Sequence, residues 1–216
     1  MPKLVVRCFT LSLDGFSAAP GQSFKEPFGK DGLRIMNWVF ATKYFSHMVG
    51  KPGGAEGLDN DYMVNSDQNI GAGIMGRNMF GPPKDGEDKA AWKGWWGPNP
   101  PYHHPMFVLT HEKKAPLEME GGTTFHFVDD GIESALKQAF AAAKGKDVRI
   151  AGGAATVRQY LKAGLVDELH LVQVPVLLGH GERIFEGLGG WESLYECVEC
   201  VPSKSVMHLK LVKKQS

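Results

Sequence analysis

Residues 147–185 read DVRIAGGAATVRQYLKAGLVDELHLVQVPVLLGHGERIF. A short apolar run, Val148 to Ala151, meets Gly152-Gly153. A helical beat follows, with Val157, Tyr160 and Leu161 on one face, and Gly164 stops it. A second apolar strand is predicted from Leu169 to Leu178. Strand, paired glycines, helix, strand is the layout of a right-handed crossover unit. The glycine turn leaves the first N–H groups of the helix bare, and such a start holds an anion, most often a nucleotide pyrophosphate. Glycine lets phosphates approach the backbone where a Cβ would collide. Gly-Gly before a helix is also an ordinary tight turn, so this stretch alone leaves both readings open.

The rest of the chain bounds those readings. Its 216 residues allow one large domain or two small ones, and an apolar share of 43% is ample for a core. Formal net charge is zero, which disfavours nucleic-acid binding, where a basic excess is the rule. No run of 18 apolar residues predicts a membrane helix. The N-terminal MPKLVVRCFTLSLDG lacks the apolar core of a signal peptide, so a cytoplasmic protein is expected. Three cysteines argue against a disulfide framework.

Leu4 to Leu11 reads as a buried strand ending at the Asp14-Gly15 turn. A helix is expected over 33–48, a flexible loop over 50–61, and strands at Ile70–Met75, Met106–Thr110 and Phe125–Val128. The next helix carries the stripe Ile132, Ala135, Leu136, Ala139, Phe140 and Ala143. Asp130 is placed to cap it, with Glu133 at capping-box spacing, and Gly145 ends it. The closing LYECVECV and SVMHLKLVKK alternate as an antiparallel pair. Strands alternating with helices make an α/β fold with a mostly parallel sheet.

Three motifs in order carry a resemblance: SLDG (Ser12 to Gly15) after the first strand, MGRNMF (Met75 to Phe80) after another, and AGGAATVRQYL (Ala151 to Leu161) followed by GLVDELHLVQVPVLLGHGERIFEGL. In this arrangement the chain resembles the dihydrofolate-reductase-like superfamily, closest to the C-terminal reductase domain of the bifunctional riboflavin-biosynthesis deaminase–reductase. The likeness implies one reductase-like domain over residues 1–216 with an insertion at about 81–105. It also implies a three-layer fold whose central sheet is mostly parallel with antiparallel C-terminal strands. NADPH is the implied cofactor. Gly76 and Arg77 would face its phosphates, Leu109, Thr110 and His111 would lie near the 2′-phosphate, and Gly152, Gly153, Ala154 and Thr156 would take the pyrophosphate. A cis Gly152–Gly153 bond and a homodimer are implied as well.

The residues support part of this independently. Arg77 is a permanent cation suited to bidentate phosphate contact, and His111, Lys113 and Lys114 add positive potential nearby. Two departures stand out. Ala151 occupies the place where the riboflavin reductases carry an acid before Gly-Gly, and the Leu-Pro-Trp segment of dihydrofolate reductases is missing from 20–45.

Asp14, Asp59 and Asp61 are candidate acids, with Asp14 placed for catalysis and a turn role its alternative. Trp92, Trp95 and Trp96 could stack on a flat substrate or pin a long loop. Arg183 is a candidate for a substrate phosphate. His103-His104 lack a third ligand, so no metal is expected. Cys197 and Cys200, three apart on a strand, are expected on opposite faces. The expected activity is NADPH-dependent reduction of a small heterocycle, resembling reduction of 5-amino-6-(5-phosphoribosylamino)uracil. A dihydrofolate or pterin reductase and a non-catalytic nucleotide-binding module are the alternatives.

Overall fold

In the computed structural model, which describes residues 1–81 and 91–215, the apolar run at the N-terminus is strand β1 (Leu4–Ser12). A 3-10 turn (Gly32–Met36) and helices α1 (Asn37–Phe40), α2 (Lys43–Met48) and α3 (Leu58–Ser66) follow. Next come β2 (Ile70–Gly76), α4 (Arg77–Phe80), β3 (Pro105–Leu109), β4 (Leu117–Glu118), β5 (Thr124–Val128) and α5 (Ile132–Ala142). β6 (Asp147–Gly152), α6 (Ala154–Lys162), β7 (Glu168–Val174), β8 (Tyr195–Pro202) and β9 (Met207–Lys213) complete the chain. The expected α/β fold, mostly parallel with antiparallel C-terminal strands, is present. Among the described residues no helix is long and apolar enough to cross a membrane.

The chain divides into two compact units. The first comprises Met1–Val5 and Asn69–Asp167. Its strands run in the order β4-β5-β3-β2-β6, with Leu4 and Val5 pairing Val148 and Arg149 of β6. All these ladders are parallel except β4 on β5. Helix α5 lies on β2 and β3 through Ala135 and Ala139, both fully buried. Small residues let it approach so closely that a Cβ on Gly71 would strike the backbone of Ala143. Asp130 does not cap this helix. The N-cap is Gly131, which has no side chain to offer, and the Asp130 carboxylate instead accepts from Ser134 Oγ at 2.8 Å.

Helix α6 buries Val157, Tyr160 and Leu161 as its sequence spacing predicts. Burying each such side chain contributes roughly 1.5–3 kcal/mol. The Tyr160 hydroxyl donates to the Ile132 carbonyl at 2.8 Å, which ties α6 to the start of α5.

The second unit comprises Val6–Gln68 and Glu168–Ser216. The rest of β1 neighbours β7, and β7-β9-β8 form an antiparallel ladder. Its core gathers Ile35, Trp38, Val39, Met63, Val172, Val174 and Val206. β7 stops at Val174, short of the expected Leu178, because Pro175 has no N–H to continue a ladder. The helix expected over 33–48 is divided into the 3-10 turn, α1 and α2. Thr42 is buried, takes extended backbone angles, and accepts from Phe45 N–H as the cap of α2.

The loop expected over 50–61 gives way at Leu58 to α3, a helix of mostly polar composition that shows no apolar stripe. Cys197 and Cys200 share a face, against expectation. A register shift between Cys197 and Glu199 sets them opposite Leu211 and Leu209, two residues apart on β9.

Candidate functional site

Three pieces of the first unit converge on one spot: the end of β2, the Gly152-Gly153 turn, and the first turn of α6. β2 and β6 are adjacent parallel strands, and Met75 pairs with Gly152, so their carboxyl ends open side by side. Gly76 caps α4 and abuts α6: a Cβ there would collide with Thr156 Oγ1 and come within 3.8 Å of Gly153 N. Glycine at 76 is thus explained by packing against Thr156, itself buried. Gly152 sits at φ 140°, a left-handed backbone only glycine adopts readily, and the Gly152–Gly153 peptide is cis, as the resemblance implies.

Gly153 differs from both neighbours. Its backbone (φ −78°, ψ −169°) is open to any residue, and among the described residues a Cβ on it would meet no atom within 4 Å beyond its chain neighbours. Packing among the described residues therefore does not require glycine at 153. Gly153 is also the N-cap of α6 and brings no capping side chain. The N–H groups of Thr156 and Val157 turn back to its carbonyl at 3.0 and 3.1 Å. Those of Ala154 and Ala155 are left for an acceptor from outside the helix, and the positive end of the helix dipole lies behind them.

Arg77 opens α4 at the end of β2, half-buried. Leu109 ends β3, and Thr110 follows with its N–H bonded to the Val128 carbonyl. The Thr110 hydroxyl accepts from Glu112 N–H at 3.1 Å, and His111 is exposed. The basic corner expected here is electrostatically balanced. Lys114 pairs with Glu112 at 3.1 Å and Lys113 with Asp129 at 3.8 Å.

The tryptophans pack inside their own unit. Trp92 Nε1 donates to the Phe80 carbonyl at 2.8 Å, Trp95 stands edge-on to Trp92, and Trp96 stacks over Phe125 and meets Tyr102 edge-on. These contacts hold the segment after residue 90 against a core of Met75, Phe80, Met106, Val108 and Phe125. Residues 82–90 of the expected insertion lie outside the described residues.

Asp14 and Arg183 belong to the second unit. The Asp14 carboxylate accepts from Ser12 Oγ at 2.5 Å, Leu178 N–H at 3.1 Å and Gly179 N–H at 2.6 Å. Desolvation pushes its pKa up, but these donors outweigh it and hold the pKa at about 2. A carboxylate kept ionised on three donors is an anchor between the Ser12–Gly15 turn and the Leu178–Gly179 segment. Of the two roles open to Asp14, catalysis or a turn, this geometry supports the turn. Arg183 lies over the Phe16 ring, its guanidinium carbon 3.9 Å from the centroid.

The same unit holds a second constellation, of which the sequence reading singled out only Asp59. Cys8, His170, His208 and Asp59 form a continuous hydrogen-bonded chain. Among the described residues no group of three or more His, Cys, Asp or Glu side chains could hold a metal ion.

Comparison with known proteins identifies the architecture. The sequence pattern of the family described as RibD C-terminal domain matches residues 2–209. A crystal structure of a provisionally assigned riboflavin biosynthesis protein from Shewanella sp. PV-4 superposes with a TM-score of 0.62 at 20% identity, over 99% of each chain. Dihydrofolate reductase from Enterococcus faecalis, complexed with NADP(H), superposes with a TM-score of 0.53 at 15% identity, over 99% of this chain and 97% of that one. The Thermotoga maritima diaminohydroxyphosphoribosylaminopyrimidine deaminase/5-amino-6-(5-phosphoribosylamino)uracil reductase gives 0.56 at 14%, over 99% of this chain but 57% of its own. No curated protein sequence matches the chain. At these identities the structural likeness establishes a dihydrofolate-reductase-like fold.

Proposed function

The chain belongs to the RibD C-terminal domain family, and from that premise we propose that it is an NADPH-dependent reductase of a small heterocyclic substrate, resembling 5-amino-6-(5-phosphoribosylamino)uracil. The observation that carries this reading is the uncapped start of α6 behind Gly153, beside the end of β2. That spot meets the chemical demands of a pyrophosphate: N–H donors without a helix partner, a helix dipole, and a backbone that no side chain among the described residues shields.

NADPH, when bound, supplies the hydride; the chain supplies grip and alignment. The N–H groups of Ala154 and Ala155 would hold the pyrophosphate, with Thr156 and Gly76 shaping the wall beside it. Arg77 would face the phosphates at the end of β2. Leu109, Thr110 and His111 would lie toward the 2′-phosphate. With Lys113 and Lys114 already paired to acids, a preference for NADPH over NADH rests on Arg77, Thr110 and His111.

We also propose a cytoplasmic homodimer of one reductase-like domain per chain. On β8 and beside it, Val198 and Leu194 leave nearly half of their surface exposed, and apolar surface of that kind favours association. Light scattering at micromolar concentration should report twice the chain mass; a monomer would refute the dimer. For the activity itself, NADPH oxidation followed at 340 nm against pyrimidine, pterin and quinone compounds should find turnover with a ribosylamino-pyrimidine. Cofactor binding without turnover of any heterocycle would instead leave a nucleotide-binding module.

A further inference from the structure

The run Cys197-Val198-Glu199-Cys200 lies on β8, an edge strand. On a regular strand, residues three apart point to opposite faces. The bulge removes that separation. Val198 is the extra residue between Cys197, opposite Leu211, and Glu199, opposite Lys210. Cys200 then stands opposite Leu209, so both thiols lie on the face of Leu209 and Leu211. Pro202 pairs with Met207, which puts the Met207 thioether on that face as well. Both cysteines are exposed and neither is in a disulfide.

Three sulfur side chains are thus brought together. The Cys200 thiol donates to Met207 Sδ at 3.7 Å. The Cys197 thiol donates to the Glu199 carbonyl at 3.3 Å. That carbonyl belongs to the peptide entering Cys200, so Cys197 Sγ leans toward Cys200.

Spacing decides what the pair can do. The partners of Cys197 and Cys200 are two residues apart on β9, a span of roughly 6.8 Å at the antiparallel rise. A disulfide takes Cα atoms about 4.4–6.8 Å apart, so a direct S–S bond would sit at the edge of its range. An ion between the sulfurs removes that demand. Three sulfurs bonded to one ion at about 2.3 Å stand about 4 Å from one another. Cys200 and Met207 already hold their sulfurs 3.7 Å apart.

The donor set selects the ion. Two thiolates and a thioether are soft ligands, which suit Cu(I). Zinc in a structural site takes four ligands, and among the described residues no third His, Cys, Asp or Glu joins the pair. Lys213, opposite Tyr195 one pair beyond Cys197 on the same face, adds positive charge beside an anionic complex.

We propose that Cys197, Cys200 and Met207 form a surface site for one Cu(I) ion per chain. Binding makes two copper–thiolate bonds and one copper–thioether bond. The two thiol protons leave to water, and the complex carries one net negative charge. Nothing is oxidised or reduced.

The test uses the full chain, reduced and under anaerobic conditions. Cu(I) is supplied as its acetonitrile complex in competition with bathocuproine disulfonate, whose absorbance reports the copper it loses. The expected result is one Cu(I) per chain. Cys197→Ser and Cys200→Ser should each weaken binding by about 10²–10⁴-fold, the gain from a second tethered ligand. Met207→Leu should weaken it about tenfold, since the thioether is the neutral ligand of the three. Both cysteines are exposed, so the serine variants should keep the circular dichroism spectrum of the parent. The Cys197→Ser/Cys200→Ser chain, which retains Cys8, should take no copper from the chelator. Copper bound equally by that double variant would overturn the proposal, as would a parent chain that takes none. One ion per two chains, or Met207→Leu binding like the parent, would also overturn it. Copper-edge X-ray absorption of the loaded chain should show three sulfur neighbours; nitrogen or oxygen neighbours in their place would contradict the assignment.

Discussion

Gly153→Ala separates packing from ligand binding. The backbone at 153 is extended and, among the described residues, a methyl there meets no atom within 4 Å beyond its chain neighbours. Alanine at a compatible position stabilises by about 0.4–1 kcal/mol through the unfolded chain. For a chain of this size that raises the melting temperature by roughly 1–4 °C. The same methyl projects beside the α6 N–H groups, where the pyrophosphate is proposed to sit. Losing one hydrogen bond to a charged group costs about 1.5–3 kcal/mol, which weakens NADPH binding roughly 10- to 150-fold.

Gly71→Ala is the opposite control. Its methyl would strike the Ala143 backbone and should lower the melting temperature by several degrees while leaving the affinity of the folded protein unchanged. Differential scanning fluorimetry and NADPH fluorescence titration on both variants give the four numbers. Gly153→Ala binding NADPH like the parent chain, or melting well below it, would refute the reasoning.

Arg77→Ala should weaken NADPH binding at least tenfold and NADH binding less; equal losses in a titration of both cofactors would remove Arg77 from the preference. Asp14→Asn should lower the melting temperature by several degrees at pH 7, because the anchor depends on a carboxylate. The Asp14 pKa is depressed from 3.8 to about 2, so its contribution is full above pH 3.8 and fades as pH falls through 2; the gap between variant and parent should narrow over that range. His170 is shifted downward, from 6.5 to about 3, so the unfolded chain binds the extra proton between those values. Stability should therefore fall as pH drops from 6.5 toward 3, by on the order of 3–5 kcal/mol, and urea titrations across that range on His170→Gln should show a flatter profile.

The central crossover was legible because its signals agree: an apolar strand, paired glycines, a helical stripe ending at Gly164, and a second apolar strand. Positions where two local signals competed were not. Thr42 lies inside a helical pattern, yet its hydroxyl serves better as a cap. Asp130 has capping chemistry, but Gly131 takes the position. Helix α3 was hidden because LDNDYMVNS has no apolar face to reveal it. The residues of the candidate site could be read from local motifs, since Gly76, Gly152, Gly153 and Thr156 are brought together by adjacent parallel strands. The Cys8–His170–His208–Asp59 line could not be, because only the β7–β9 register and the packing of α3 join residues so far apart. The nearest signal was a histidine within each of two apolar strands, ELHLVQV and MHLKLVK. The shared face of Cys197 and Cys200 depends on one extra residue, and no period-two count detects a bulge.

A crystal structure of the chain with NADP(H) tests the central claim most directly. Pyrophosphate oxygens should lie within hydrogen-bond distance of the Ala154 and Ala155 N–H groups, against Gly153 and beside Gly76. A dinucleotide bound elsewhere, or no binding at millimolar cofactor, would contradict it.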